Sequence, residues 1–329
     1  MKSPRVLIIS PAVASSNNGN WQTASRWSQM LSPAFDTTIA QTWNGQPVDV
    51  MLALHARRSA GSIARFARAQ GVQADARGLG VVLTGTDLYR DILSDEEAQA
   101  SLRLASRLVV LQECGPDALA PALRAKSRVI FQSAAAQEAV AKPTDHLRVV
   151  MVGHLRDEKS PQTLFEAARL LKAQADLWID HIGDALDPAL GAQARACMQE
   201  CPNYRWWGGL PHADTLRALG QAHALVHTSR MEGGAHVILE AVQSGTPVLA
   251  SRIPGNVGML GTDYAGYFDH GDARALADLL LRCRSQLGEP GGLHAQLTNQ
   301  CALRSPLFSP SAEQAAVVAL VQDLLHANT

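Results

Sequence analysis

The segment 229–251 places two glutamates, three small residues and a predicted helix in an order that suits a phosphorylated, hydroxyl-rich ligand. Glu232 precedes the tripeptide Gly233–Ala235, and the apolar pattern that follows predicts a helix over 237–244 that carries Glu240. Glycines let the backbone approach a ligand closely, and the free N–H groups at a helix start attract phosphate. The two carboxylates could therefore bracket the hydroxyls of a polyol. The competing interpretation is an ordinary loop-to-helix turn with two surface acids.

A second loop with chemistry-bearing residues, 152–160, follows a predicted strand over 147–153. It carries His154, Arg156 and Lys159. An ammonium group that acts together with backbone N–H donors stabilises a leaving diphosphate. Taken alone, the lysine could equally be a solvated side chain in front of a helix.

Polar and basic residues also follow predicted strands in the first half of the chain. They are Gly19, Asn20 and Thr23 in the first loop and helix start, His55, Arg57 and Arg58 after the second strand, and Thr84 after the third. Two adjacent arginines at the carboxyl end of a strand favour an anionic ligand. The alternatives are a solvent-facing turn for the arginines and an Asn-capped helix start, at Asn17 and Asn18, for the first loop.

These residues require a scaffold of alternating strands and helices, and the sequence predicts one. Apolar runs without alternation suit parallel strands that are covered on both faces. We therefore predict an α/β protein with two doubly wound, Rossmann-like domains. The predicted domains are 1–143, 144–304 and a C-terminal segment 305–329, whose helix over 312–326 packs back on the first domain. The predicted strands are 6–10, 48–55, 80–84, 108–111, 129–131, 147–153, 177–183, 204–207, 224–227 and 247–250, and the predicted helices include 59–70, 96–105, 161–173, 188–200, 214–221 and 273–284.

The composition excludes several classes of protein. The 329 residues contain 47% hydrophobic and 18% charged residues, which fits a packed globular chain. Lys plus Arg number 29 against 30 Asp plus Glu, so no broad basic face for nucleic acid is expected. No apolar run is long enough to span a bilayer, and we expect a cytoplasmic protein without a membrane partner. Five scattered cysteines predict neither a disulfide framework nor a zinc site.

Four segments of the second half resemble the large retaining group of GT-B glycosyltransferases, which includes sucrose and mannosyl transferases. The resemblance covers nearly the whole chain and is strongest from 148 to 280. The segments are 229–251, with an E-x7-E spacing, 152–160, 208–211 and 265–272.

That resemblance implies a role for each matching residue. Glu232 would contact the donor sugar hydroxyls, Glu240 the ribose, and Lys159 the diphosphate. His154 stands where the family usually has Arg, so either His154 or Arg156 would make a further phosphate contact. The candidate catalytic residues are Lys159, Glu232, Arg156 and His55, and the candidate donor-binding residues are His154, Lys159, Leu210, Gly233, Gly234, Ala235 and Glu240.

The first half resembles one branch of this family, the selenosugar synthases of selenoneine biosynthesis. The matching segments are 10–27, 54–59 and 83–91. The resemblance implies a UDP-N-acetylhexosamine donor, UDP-GlcNAc, and selenophosphate as the acceptor, with other enzymes of that pathway as partners. Selenophosphate is an anionic nucleophile, so no general base is needed to activate it. The candidate acceptor-binding residues are Gly19, Asn20, Thr23, Arg57, Arg58 and Thr84.

Two other functions remain open from the sequence. One is an ordinary glycosyltransferase with a hydroxyl acceptor, and the other is a nucleotide-sugar sensor without turnover. The UDP-sugar would be a co-substrate and no cofactor is expected. No D-x-D carboxylate pair occurs in the sequence, so we also expect activity without a bound metal ion.

Overall fold

The computed structural model describes residues 3–12, 19–138 and 140–326. The chain forms two compact units, Met1–Gln132 with Pro310–Thr329, and Ser133–Ser309. The divisions fall at 132/133 and 309/310, where the sequence analysis placed them at 143/144 and 304/305. Each unit is built on a six-stranded sheet in which all pairings are parallel.

The sheet of the first unit has the strand order β2-β1-β3-β4-β5-β6. Alternate residues of a strand point to opposite faces, and each face carries an apolar cluster. Met51 and Ala53 belong to one cluster, whereas Val50 and Leu52 belong to the other. The strands are β1 (Arg5–Ile9), β2 (Asp36–Ala40), β3 (Val50–Leu54), β4 (Ala76–Val82), β5 (Ala105–Val110) and β6 (Ser127–Val129), and the helices are α1 (Gly19–Leu31), α2 (Ala60–Ala69), α3 (Ile92–Ser94), α4 (Glu96–Leu104) and α5 (Pro121–Arg124).

The edge strand β2 is absent from the prediction. Its sequence, Asp-Thr-Thr-Ile-Ala, is largely polar, and each of its residues is exposed or only partly buried. A strand with one neighbour does not need the apolar run that marks a central parallel strand. The strand was missed because the prediction identified strands by continuous apolar runs, and β2 has none.

The sheet of the second unit has the order β12-β11-β10-β7-β8-β9. The predicted strands of this half agree with the structure to within a residue or two. The strands are β7 (Leu147–Val152), β8 (Leu177–Ile182), β9 (Tyr204–Trp206), β10 (Ala224–His227), β11 (Val248–Ser251) and β12 (Tyr267–Phe268), and the helices are α6 (Pro161–Leu170), α7 (Pro188–Glu200), α8 (His212–Gln221), α9 (His236–Gln243), α10 (Pro254–Leu260), α11 (Ala273–Ser285) and α12 (Leu293–Arg304).

The last helix, α13 (Pro310–His326), packs on the first sheet. Its buried residues join the apolar cluster that contains Trp27. The carboxylate of Glu313 accepts hydrogen bonds from Arg26 at 2.8 and 3.1 Å and from the Trp27 indole at 2.7 Å. Glu313 is fully buried, so this ionic contact fixes α13 against α1. Within the described part of the chain, no helix is both long and apolar enough to cross a membrane.

Candidate functional site

Two loops at the carboxyl edge of the second sheet are tied together by hydrogen bonds. The loop after β7 ends in a short 3₁₀ turn, Asp157–Lys159. The Thr228 hydroxyl, just after β10, donates to the carbonyl oxygen of Lys159 at 2.7 Å. The Arg230 amide donates to the carbonyl oxygen of Glu158 at 3.0 Å. Parallel strands bring their carboxyl ends to one edge, and these bonds fix the two loops there.

Lys159 and Glu232 meet at the centre of this edge. The Lys159 ammonium donates to Oε1 of Glu232 at 2.6 Å, and both side chains are less than 15% exposed. Burial alone would raise the pKa of the Glu232 carboxyl, but the Lys159 ammonium holds that pKa well below its usual range. Glu232 is therefore an anion at neutral pH, paired with a cation that faces the same edge.

The loop that carries Glu232 is supported from beneath by β11 and α10. The Ser251 hydroxyl donates to the carbonyl oxygen of Ser229 at 2.5 Å, and the Asn256 amide donates to the Ser251 carbonyl at 2.9 Å. Gly255 lies against the backbone of Glu232 and leaves no space for a side chain. The position of Glu232 is therefore set by packing. Gly233, Gly234 and Ala235 follow it directly and lead into α9.

Glu240 lies on the first turns of α9 and is almost completely buried. Its Oε1 atom is 2.8 Å from Nε2 of His212 and 3.4 Å from Nε2 of His236. His212 begins α8, two residues after Leu210. The structure thus brings the segment that contains Leu210 to Glu240. His212 and His236 are candidate site residues that the sequence analysis missed. Nothing in the local pattern links position 212 to position 240, whereas the i,i+4 spacing of His236 and Glu240 on α9 is a signal that could have found the second one.

His154 and Arg156 occupy the exposed side of the same loop. Nδ1 of His154 accepts a hydrogen bond from the Asp184 amide at 3.0 Å, so the proton of the neutral ring is on Nε2. Asp184 also accepts from the Gly209 amide at 2.9 Å. Arg156 is about half exposed and lies 4.0 Å from Glu158. Either His154, through Nε2, or Arg156 can therefore present a donor to an anion.

The predicted acceptor residues of the first unit lie at the start of α1, after β3 and after β4. Gly19 and Asn20 begin α1, and the Thr23 hydroxyl donates to the Gly19 carbonyl at 2.8 Å. Thr23 is buried and accepts a hydrogen bond from Gln132 at 2.6 Å, so its hydroxyl stabilises the helix start. Asn17 and Asn18 lie outside the described residues. Thr84 follows β4 and its carbonyl accepts from the Leu88 amide at 2.8 Å.

His55 forms a buried cluster with two aspartates of the π-helical turn Asp87–Asp91. Its Nδ1 is 3.1 Å from Asp87 and its Nε2 is 3.8 Å from Asp91, and all three side chains are almost completely buried. Asp87 also accepts the Ala56 amide hydrogen at 2.6 Å. Nδ1 of His55 accepts a hydrogen bond from the Arg58 amide at 3.4 Å, so this almost completely buried ring holds the 55–58 loop from inside the protein. Asp91 was missed from the sequence.

The ligand types of this cluster would suit a metal ion, since one atom from each residue lies within 4.8 Å of the others. Two guanidinium groups compete with that use. Nε of Arg90 is 3.0 Å and Nη1 of Arg57 is 3.7 Å from Oδ1 of Asp91. The cluster is therefore charge-balanced by the chain itself.

Arg57 and Arg58 differ in their surroundings. Nε of Arg57 is 3.1 Å from Asp95, in addition to its contact with Asp91. Arg58 is exposed, and no ion pair among the described residues involves it. Nearby, Gln112 donates to the Tyr89 hydroxyl at 2.7 Å, and burial raises the pKa of Tyr89 to about 12. This contact between Tyr89, in the π-helical turn, and Gln112, which follows β5, was also missed from the sequence.

Comparison with known proteins gives a family match for the second unit and a fold match for the whole chain. Residues 132–286 match the family model of the glycosyl transferases group 1. Glycosyltransferase 1 domain-containing protein 1 of Xenopus tropicalis is 32% identical over 112 residues, which cover 34% of this chain and 32% of the relative. The match thus spans about a third of that relative's length.

Solved structures also resemble the whole chain, and two of them serve as examples. One is HepE of Anabaena in complex with UDP-glucose, with 15% identity over 97% of this chain and 100% of the other and a TM-score of 0.73. The second is sucrose-phosphate synthase from Thermosynechococcus elongatus, with 16% identity, coverages of 99% and 100% and a TM-score of 0.75. At this identity the likeness establishes the fold. The predicted fold class is confirmed: the chain has the GT-B fold, and residues 132–286 match the model of the glycosyl transferases group 1.

Proposed function

We propose that this protein is a UDP-sugar-dependent glycosyltransferase whose donor site lies in the second unit. The observation that carries the proposal is the contact between Lys159 and Glu232, a buried cation and anion held at the carboxyl edge of a parallel sheet. The solved relative HepE was obtained with UDP-glucose, which supports a nucleotide-sugar ligand.

The geometry suggests how a donor would be held. The Lys159 ammonium and the donors on His154 or Arg156 would neutralise the diphosphate, which is the leaving group. Glu232 would accept hydrogen bonds from sugar hydroxyls. Glu240, already hydrogen-bonded at Oε1 by His212, would accept the ribose hydroxyls.

For the acceptor, we propose selenophosphate, with UDP-GlcNAc as the donor, as the resemblance to selenosugar synthases implies. Selenium would form a bond to the anomeric carbon while the carbon–oxygen bond to the diphosphate breaks, and UDP would leave with the electron pair. Two observations support an acceptor that is already a nucleophile. The side chain of His55 is only 3% exposed, so it offers almost no surface to an acceptor hydroxyl. Arg58 offers an exposed cation that no described acidic side chain neutralises.

One experiment separates the three candidate functions. Purified protein receives UDP-GlcNAc or UDP-glucose, with selenophosphate, thiophosphate or a panel of sugar hydroxyls as acceptor, and the UDP released is measured. We expect UDP release with selenophosphate, slower release with thiophosphate and none with hydroxyls. Faster turnover of a hydroxyl acceptor would establish an ordinary glycosyltransferase. Tight binding of UDP-sugar without release of UDP in any mixture would establish a sensor.

A cytoplasmic location and partners in the same pathway stay predictions. Pull-down of the tagged protein from a soluble extract, followed by identification of bound enzymes, tests the second of these.

A further inference from the structure

Glu232 has a second neighbour besides Lys159. His227, the last residue of β10, points its Nε2 atom at the same carboxylate oxygen, Oε1, from a distance of 3.4 Å. Its side chain is 1% exposed. The contact is too imperfect in geometry to be a hydrogen bond, and Nε2 of His227 is a buried polar atom that lacks a hydrogen-bond partner. A buried, unsatisfied N–H group is costly, so this arrangement needs an explanation.

The His227 ring is neutral at neutral pH. Burial lowers its pKa, and the Lys159 charge lowers it further, although the Glu232 carboxylate acts in the opposite direction. A neutral imidazole carries one N–H. If that proton were on Nδ1, the lone pair of Nε2 would face the Glu232 anion at 3.4 Å, which is repulsive. The favoured tautomer therefore directs an N–H from Nε2 toward Glu232.

His227 becomes important for Glu232 when Lys159 moves away from the carboxylate. In the ligand-free protein, Lys159 holds Glu232 at 2.6 Å. A donor diphosphate would attract the same ammonium, and the buried carboxylate would then lose its counterion. An unpaired buried charge is strongly unfavourable, so the transfer requires a replacement donor.

We propose that His227 is a positioning residue: its Nε2–H holds Glu232 in place when the Lys159 ammonium turns to the diphosphate. A shift of Glu232 by a few tenths of an ångström closes the 3.4 Å contact to hydrogen-bond distance. The inference rests on the proposed function, because it assigns a task to His227 within that donor site. His227 does not touch the substrate.

The test compares replacements of His227 that differ in where the side chain places an N–H donor, or in whether it has one. The side-chain nitrogen of Gln lies close to the place of imidazole Nε2, whereas that of Asn lies closer to Nδ1 and Leu has none. We expect His227→Leu and His227→Asn to lower kcat for UDP release at least tenfold, as for a lost hydrogen bond to a charged group. His227→Gln should keep most of the activity. Comparing the two amides keeps the test informative if the leucine variant fails to fold.

His223 provides a matched control. It is as buried as His227 and lies on the segment leading into the same strand, but its nitrogens contact the Pro143 carbonyl at 2.7 Å and the Arg148 amide at 2.9 Å. His223→Gln should change the melting temperature without changing kcat. If His223→Gln lowers kcat as much as His227→Asn does, replacing either buried histidine has the same effect. That result would overturn the proposal.

A double-mutant cycle distinguishes positioning from a general effect on packing. His227→Leu is combined with Glu232→Gln, and UDP-sugar dissociation constants are measured by calorimetry together with kcat. If His227 acts through Glu232, its replacement should add less than a twofold effect in the Glu232→Gln background. Equal losses in both backgrounds, or equal activity of the Gln and Asn variants, would overturn the inference. Wild-type protein that binds no UDP-sugar would instead refute the proposed function.

Discussion

Gly255 lies so close to the backbone of Glu232 that a Cβ atom at position 255 would overlap the Glu232 carbonyl group. The contact joins the start of α10 to the loop that carries the candidate sugar-binding carboxylate. Backbone atoms on the other side of a close contact cannot rotate away as a flexible side chain can. A methyl group at position 255 therefore forces the Glu232 backbone and the start of α10 apart.

We predict that Gly255→Ala lowers UDP-sugar affinity and kcat by at least tenfold, because it moves Glu232 out of reach of Lys159. Calorimetric titration with UDP-sugar and the UDP-release assay measure the two effects. Gly220→Ala is the control, since that helical glycine is also buried and a Cβ there meets no atom within 4 Å. Normal binding by a folded Gly255→Ala protein would contradict the assignment of Glu232.

Replacement of Lys159 by Met should reduce turnover more than tenfold, since a charge-assisted contact to the leaving group is worth about 1.5–3 kcal/mol. Without the ammonium, burial would dominate and the pKa of Glu232 would rise. The UDP-release rate in the variant, at saturating donor, measures the loss. Kinetics equal to those of the wild type would remove Lys159 from the diphosphate site.

The two adjacent arginines should behave differently. Arg58→Ala should raise the KM for the acceptor anion severalfold and leave UDP-sugar binding unchanged, because its exposed charge is available to a ligand. Arg57→Ala should mainly lower the melting temperature, because Arg57 already pairs with Asp91 and Asp95. Steady-state kinetics with varied selenophosphate, and thermal unfolding, measure these effects. An unchanged acceptor KM in Arg58→Ala would contradict the anion site at this loop.

Lys142 offers a pH-dependent test of stability. Burial lowers its pKa to about 8, and its ammonium donates to the Thr246 hydroxyl at 3.0 Å. Below pH 8 both the folded and the unfolded protein carry the proton, so burial of the charge has its full cost. As pH rises from about 8 toward the unfolded value of 10.5, the folded state releases the proton first and the cost disappears.

Lys142→Met should therefore raise the melting temperature by a few degrees at pH 7 and by less at pH 9.5. Lys172→Met, at an exposed position, is the control and should show neither effect. Scanning calorimetry at both pH values provides the measurement. A gain that is constant with pH would show that the charge of Lys142 is not the cause.

Activity should persist after removal of divalent metal, because the diphosphate can be neutralised by Lys159 together with Arg156 or His154. UDP release is measured after treatment with EDTA and after addition of magnesium or manganese. Complete loss with EDTA, restored by either ion, would contradict this expectation.

The sequence predicted β3 and β7–β11 to within two residues because their signal is local, whereas it missed the first four residues of β4 and the first three of β5. A strand such as β3 is apolar at every position, so its burial on both faces is visible in five consecutive residues. The helices α10 and α12 were missed for the opposite reason. The first begins with Pro254 and Gly255, which are typical of turns, and the second presents a mixed surface that includes His294, Thr298 and Gln300.

In the candidate site, too, only residues that belong to a local sequence motif could be predicted. Glu232, Glu240 and Lys159 were found because each belongs to a contiguous motif. The contacts that define their chemistry join residues far apart in sequence, such as Lys159 with Glu232 and His212 with Glu240. Nothing in a single sequence records those pairs. Arg57 and Arg58 likewise look equivalent in the sequence, but the structure shows that Arg57 pairs with Asp95.

The position of α13 has a consequence for biosynthesis. The ribosome produces all of residues 133–309 before it produces the helix that covers Trp27 and Leu31. The second unit can therefore reach its native state first. The first unit is synthesised earlier, but one apolar face of its sheet stays exposed until α13 has been made. Exposed faces of this kind invite aggregation during translation. The nascent chain thus passes through a vulnerable interval that ends when Glu313 reaches Arg26.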